Sequence, residues 1–415
     1  VTLQVRSSVL EDGRPLLDLL PQVPDDERFV FVQDGEGLIG WGVAARIPVG
    51  TGPERFTRAR AALAEFSGDD PSLPEPVAFA SFSFDEDEDT SVMVVPRTVV
   101  IRRDGVTQLL TAGEHTEGLA PPRTASGPIS EPTTDATSDR PRHAGSTVRD
   151  DVWLEAVARA LEEISAGSYE KAVLARDLNL WSRSAFDTSG VLDRLAQRFP
   201  SCTTFLVDHL LGASPERLLR RDGDRIDSRV LAGTAGRGED PAADARLGAA
   251  LMASAKDRNE HDLAVRSAVE ALAGVCTTLE VPEGPSLVQL DNVQHLGSDL
   301  TGTLDAAHDR STDTHVLELV ARLHPTAAVG GAPRAAALDA IARLEGMSRG
   351  RYAGPVGWCT PDGDGEFAIA LRCAEIRGER ARLFAGAGIV AGSLPEAELT
   401  ETWLKLQAMT GVLDG

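Results

Sequence analysis

Two pairs of acidic residues, each spanning one helical turn, lie far apart in a chain whose formal net charge is already −23: Asp257 and Glu260 in AKDRNEHD, Glu398 and Glu401 in PEAELTETW. Like charges at i, i+3 are slightly unfavourable on an isolated helix, so their repetition invites a search for a cation. If the two faces met, four carboxylates would offer hard oxygen ligands to a divalent ion. Magnesium, which keeps several waters and accepts substrate oxygens, suits such a set. The alternative is a pair of solvated helix faces, with Glu401 and Lys405 as an i, i+4 pair worth a few tenths of a kcal/mol. On spacing alone the solvated reading is the commoner.

Other residues carry chemistry by type and setting. Lys171 heads the mostly apolar run KAVLARDLNLW, where a lysine is either a general base or a side chain that snorkels to water. Glu216 follows a proline in GASPERLLR and reads as an acid or as a plain turn carboxylate. Arg372 could grip a carboxylate bidentately or be an ordinary surface arginine. Gly386, Gly388 and Gly392 in FAGAGIVAG do not have the G-x-G-x-x-G spacing of a dinucleotide fingerprint. Glycine there would instead let backbone amides approach a small anion closely.

The elements that must position these residues can be outlined from pattern. RFVFVQ, LIGWGVA, VAFASFSF, SVMVVPRTVVIRR and VTQLL read as strands around one helix, PERFTRARAALAEF, with Phe56, Ala59, Leu63 and Phe66 as its buried stripe. DEDED at 85 to 89 reads as a solvated loop. Residues 119–149 are rich in Pro, Ser and Thr and read as a weakly ordered insertion or linker. They divide a β-rich half, residues 1–118, from a core over residues 150–415.

In that core a helix with Trp153, Val157, Leu161 and Ile164 on one face ends near Gly167. The strand KAVLARDLNLW follows, then a hairpin turning at DGD. Helices dominate 240 to 273 and 313 to 345. AGPVGWCT, EFAIALRCAEI and RARLFAGAGIV form an antiparallel meander, and Ser393 with Glu396 predicts a capping box for the last helix. Strand clusters separated by helical blocks indicate α+β, with large antiparallel sheets packed as a sandwich and helices outside.

Composition bounds the rest. With 415 residues, 42% of them hydrophobic, the chain can bury a large core. Such acidity argues against nucleic acid or an anionic membrane as partner. No long apolar run predicts a membrane span, and the opening VTLQVRSSVLEDGRP has no signal-peptide pattern, so a cytoplasmic location is expected. Cys202, Cys276, Cys359 and Cys373 are scattered without zinc or disulfide spacing.

The motifs occur together, in order, in one family. Through EKAVLARDL, GASPERLL, LAGTAGRG, KDRNEHD, VQHLGSDLTG, LHPTAAVGGAPR, GRYAGPVGW, IALRCAEI, AGAGIVAGS and EAELTETWLK, residues 150–415 resemble the chorismate-utilising enzymes, and among them the isochorismate synthases. The resemblance implies magnesium-dependent conversion of chorismate to isochorismate, with water adding at C2 while the C4 hydroxyl leaves, on the way to menaquinone or a siderophore. It implies Lys171 as the base and Glu216 as the acid, and Glu260 and Glu401 as main metal ligands supported by Glu398 and Asp257. It also implies substrate contacts from Tyr352, Arg372, Gly386, Gly388 and Lys405, with Thr234, His295 and His324 around the pocket. The family usually has Glu at the position of Asp257, so direct metal contact there is in doubt.

Anthranilate synthases generally lack lysine at position 171, and aminodeoxychorismate synthases typically carry it where Ala232 stands. Water is therefore the expected nucleophile, no glutaminase subunit is expected, and a monomer is plausible. Salicylate synthase, which goes on to eliminate pyruvate, is the alternative enzyme. A noncatalytic chorismate-binding protein is the non-enzymatic alternative.

Overall fold

The computed structural model describes residues 3–67, 74–113, 140–305 and 314–414. Every strand pairing among them is antiparallel, and two sheets share one long strand, Val92–Arg103. One sheet runs outward from it through Glu36–Arg46, Arg28–Gln33, Thr203–Val207, Leu210–Ser214, Cys373–Arg377 and Arg380–Val390 to Lys171–Trp181. The other runs through Ala78–Ser81, Pro355–Cys359, Gly365–Ile369, Arg217–Asp222 and Arg225–Gly236 to Val293–Leu304.

Alternation along the strands decides what each face buries. Phe29, Phe31, Phe205 and Val207 of the first sheet share a core with Phe79, Leu219, Phe367 and Ile369 of the second. The intervening Val30, Val32 and Leu206 point the other way, under Leu192 and Leu195 of helix Thr188–Arg198 and Leu406 and Met409 of helix Pro395–Leu413. The architecture is thus a sandwich with helices outside, as the pattern predicts. Among the described residues no helix is long and apolar enough to cross a membrane.

The chain passes between the sheets twice at one place. Leu210–Ser214 lies in the first sheet and Arg217–Asp222 in the second, with Pro215 and Glu216 at the crossing. The expected single strand EFAIALRCAEI is likewise two, Gly365–Ile369 and Cys373–Arg377, separated by Ala370, Leu371 and Arg372. Its apolar run looks continuous in sequence, but Arg372 takes a left-handed φ of 44° that no strand continues through.

The last helix also differs from expectation. It begins at Pro395, whose fixed φ suits a first helical position, with Leu394 preceding it and no side-chain cap. Ser393 Oγ instead accepts from Val390 N–H at 3.2 Å, closing the strand end, so no capping box forms with Glu396. Within 119–149, Arg142–Gly145 forms a strand paired with Lys171–Trp181. Residues 119–139 of that range, and 114–118 before it, lie outside the described residues.

Candidate active site

At the double crossing the two passing segments bond to each other. Ile369 N–H donates to the Glu216 carbonyl at 3.1 Å and Ala213 N–H to the Arg372 carbonyl at 3.2 Å, which satisfies backbone groups that neither sheet could serve. Both side chains face a buried cavity that also has walls from Thr234, Glu260, His295, Tyr352, Gly386, Gly388 and Lys405. A bulge in the pairing of Arg225–Gly236 with Val293–Leu304, at Gly233 with φ 78°, shifts the register so that Thr234 sits opposite His295.

The opposite wall comes from strand Arg380–Val390, which lies against Lys171–Trp181 with Gly386 opposite Ala175, Gly388 opposite Val173 and Val390 opposite Lys171. Lys405 Nζ donates to the Gly386 carbonyl at 2.9 Å, so the backbone groups of Gly386 point away from the partner strand. With a period of two, those of Gly388 do as well. A Cβ on Gly388 would lie 2.2 Å from Glu260 Oε1 and 3.0 Å from Lys171 Cε, so glycine here makes room for the acid and the lysine.

Glu216 is 3% exposed, and burial pushes its carboxyl up to about 8 against the opposing influence of Lys171, Arg372 and Lys405. At neutral pH it therefore holds a proton that it can donate. Arg372 donates from Nη2 to His295 Nε2, which makes that nitrogen the acceptor. The His295 proton thus sits on Nδ1, 3.2 Å from Thr234 Oγ1 and 3.3 Å from the Gly233 carbonyl. Burial, then Arg372 and Lys405, hold His295 well below its usual range, consistent with this neutral tautomer. Arg372 Nε is buried with no partner among the described residues and is free for a ligand carboxylate. Tyr352 stacks on Phe384 with ring centroids 5.1 Å apart.

At and behind the cavity wall three carboxylates lie near one another, each paired with its own lysine. Glu260 Oε1 is 3.1 Å from Lys171 Nζ, Glu401 Oε1 is 2.6 Å from Lys405 Nζ and Glu398 Oε1 is 2.7 Å from Lys256 Nζ. The Lys171 contact is an ion pair not aligned as a hydrogen bond, and its Nζ has no other partner among the described residues. Burial pushes Glu260 up, but Lys171, Lys405 and Lys256 together outweigh it and hold the acid below its usual range. Glu401 is raised by burial and by the repulsion of Glu260 and Glu398, despite Lys405.

Among the described residues no three such ligands are preassembled for a metal. The donors are oxygens of the kind a hard divalent cation takes, and such an ion would relieve the repulsion on Glu401. Asp257 lies with its Cβ beside Gly233, which lines the cavity.

Of the expected residues, Glu216, Thr234, Glu260, His295, Tyr352, Arg372, Gly386, Gly388 and Lys405 line the cavity, while Lys171, Glu398 and Glu401 are ion-paired behind or beside its wall. His324 does not line this cavity: its Nε2 donates to the Ala353 carbonyl at 3.0 Å, and it faces a separate cavity beside Phe84 and Arg349. The LHPTAAVGG loop reaches the site through Ala328 and Val329 instead. Sequence reasoning missed Phe384, the platform for Tyr352, and Lys256, whose signal was its place inside AKDRNEHD beside the acids.

A model of the family described as chorismate binding enzyme matches residues 12–414. Isochorismate synthase DhbC of Bacillus subtilis is 42% identical over 268 residues, covering 62% of this chain and 66% of the relative. Isochorismate synthase MenF of the same organism is 39% identical over 269 residues, covering 64% of this chain and 56% of the relative. The chain thus spans under two thirds of the length of these relatives in the matched regions. The structure of MenF, the menaquinone-specific isochorismate synthase of Escherichia coli, superposes with a TM-score of 0.82 at 27% identity, covering 99% of this chain and 94% of that one.

Proposed function

Because the chain belongs to the chorismate-binding enzyme family, we propose that it is an isochorismate synthase, converting chorismate to isochorismate by adding water at C2 and releasing the C4 hydroxyl. The observation that carries this reading is the buried, proton-bearing Glu216 facing a cavity whose wall at Glu260 and Gly388 is backed by the buried Lys171. Lys171, acting in its neutral form after the proton of its ion pair with Glu260 has left, takes a proton from the water that bonds to C2. The ring double bond shifts, the C4–O bond breaks, and Glu216 gives its proton to the departing hydroxyl, which leaves as water. Atoms balance as an isomerisation, with one water gained and one lost. Proton return from Lys171 to Glu216 resets the pair.

Arg372, held by neutral His295, meets a substrate carboxylate through Nε, and the Gly386 and Gly388 amides face the same space. Glu260 and Glu401, supported by Glu398 and Asp257, would hold Mg²⁺, which would polarise a substrate carboxylate when bound. No glutaminase partner is required for water as nucleophile, and a monomer suffices, because the cavity is built within one chain.

Incubating the protein with chorismate and MgCl₂ and resolving the products chromatographically tests the reading. Isochorismate alone is expected. Salicylate with pyruvate would assign salicylate synthase instead, and binding of chorismate without product would make the chain a noncatalytic member. The similarity to MenF and to DhbC supports the chemistry equally on either route, to menaquinone or to a siderophore.

A further inference from the structure

Three lysines face three carboxylates in the acidic cluster, so the charges there cancel without a metal: Lys171 against Glu260, Lys405 against Glu401 and Lys256 against Glu398. The three lysines differ in how they can respond to an arriving dication. The Lys171 side chain is 0% exposed, and that of Lys405, at 19%, is also tied to the Gly386 carbonyl. The Lys256 side chain is 31% exposed while its partner Glu398 is 2% exposed, so of the three lysines it has the most access to solvent, beside a buried acid. It comes from the first turn of helix Ala255–Leu272, and Glu398 from the first turn of Pro395–Leu413, so this one contact ties together the two helices that carry the acids.

We propose that Lys256 is a stand-in cation for the metal: it holds Glu398 in the metal-free protein and swings to solvent when a divalent ion enters. The inference rests on the magnesium reading above. A dication added to a neutral cluster leaves a net positive charge in a poorly solvated place, and releasing an ammonium that can rehydrate removes part of it at little cost. A lysine without a path to water cannot do this. Lys256 therefore competes with the ion when substrate is absent. Binding of the dianionic substrate, which supplies negative charge of its own, weakens that competition and draws the metal in, so metal and substrate bind cooperatively.

Calorimetric titration of MgCl₂ into the full chain, together with melting temperatures, tests this. Without chorismate, Lys256→Met is expected to bind Mg²⁺ on the order of tenfold more tightly than the wild type, the loss of one charge-assisted contact. Its metal-free Tm should fall, because Glu398 is left buried and unpaired, and MgCl₂ should restore it. Lys256→Arg, which keeps a cation on Glu398, should bind Mg²⁺ as the wild type does. Lys256→Gln, which still donates a hydrogen bond, replaces the methionine variant if that does not fold. Wild-type Mg²⁺ affinity in the uncharged variants, or a lowered Tm that Mg²⁺ does not recover, overturns the role of Lys256. A wild type that binds no Mg²⁺ with or without chorismate overturns the magnesium reading instead.

Discussion

Replacing Glu216 with Gln separates chemistry from stability in a way the structure makes quantitative. The folded protein holds the Glu216 carboxyl at about 8, whereas an unconstrained glutamate titrates near 4.5. The sign follows from which state binds the proton: between these values the folded protein keeps a proton that the unfolded chain has released. Stability from this group is complete below pH 4.5 and declines until pH passes 8. At 1.36 kcal/mol per pH unit the loss is about 2 kcal/mol at pH 6 and roughly 5 kcal/mol at pH 9.

Glutamine cannot ionise and is spared that loss. The stability of Glu216→Gln relative to wild type should therefore rise by about 2 to 3 kcal/mol between pH 6 and pH 9, read by urea denaturation at several pH values. Turnover should fall by about 10²-fold or more, and the wild type's alkaline decline in rate near pH 8 should vanish from any residual activity. Parallel stability curves for the two proteins across pH 6 to 9 would refute a dry, protonated Glu216, and near-normal turnover would refute its role as the acid.

Lys171→Ala should lose turnover by about 10²-fold or more while chorismate still raises its melting temperature; unchanged turnover would remove Lys171 as the base. Gly388→Ala places a Cβ 2.2 Å from Glu260 Oε1, so Glu260 must shift and activity should collapse while circular dichroism reports a native fold. Activity within a few-fold of wild type would show that the close approach is unnecessary. For Arg372, with its φ of 44°, Arg372→Gly should be about 1 kcal/mol more stable than Arg372→Ala, measured by denaturation, while both raise KM for chorismate. Equal stability would argue against the left-handed backbone, and an unchanged KM against the carboxylate contact.

What was legible in the sequence followed from strict periodicity and unambiguous turns. KAVLARDLNLW became Lys171–Trp181 without a shift, because its apolar residues leave no other buried element, and DGD turned the hairpin where expected. The acids at i, i+3 stayed ambiguous because only tertiary packing tells a cluster from two wet faces. Their convergence depends on helix Pro395–Leu413 lying over strand Arg380–Val390 while Ala255–Leu272 packs on Arg225–Gly236, contacts that no local pattern encodes. His324 was misplaced because one motif spans two cavities: Ala328 and Val329 reach the site, while His324 is turned away to bond Ala353. Lys256 was passed over because a lysine among acids on a helix reads as surface charge until its partner proves to be buried.

The position of the acid explains why the site lies at the double crossing rather than on a sheet face. A side chain on a regular strand points either into the hydrophobic interior, where a carboxyl finds no ligand, or toward helices and solvent, where it would ionise. At a crossing the backbone leaves both pleats, so Glu216 points along the seam between the sheets, dry enough to keep its proton yet open to a cavity. Such a break would strand buried amides and carbonyls, at about 1 to 3 kcal/mol each. A second crossing alongside removes that cost, because Ile369 bonds to Glu216 and Ala213 to Arg372. The same pairing delivers the guanidinium beside the acid. The proton donor and the carboxylate anchor are thus consequences of one backbone solution, in which each crossing satisfies a backbone carbonyl of the other.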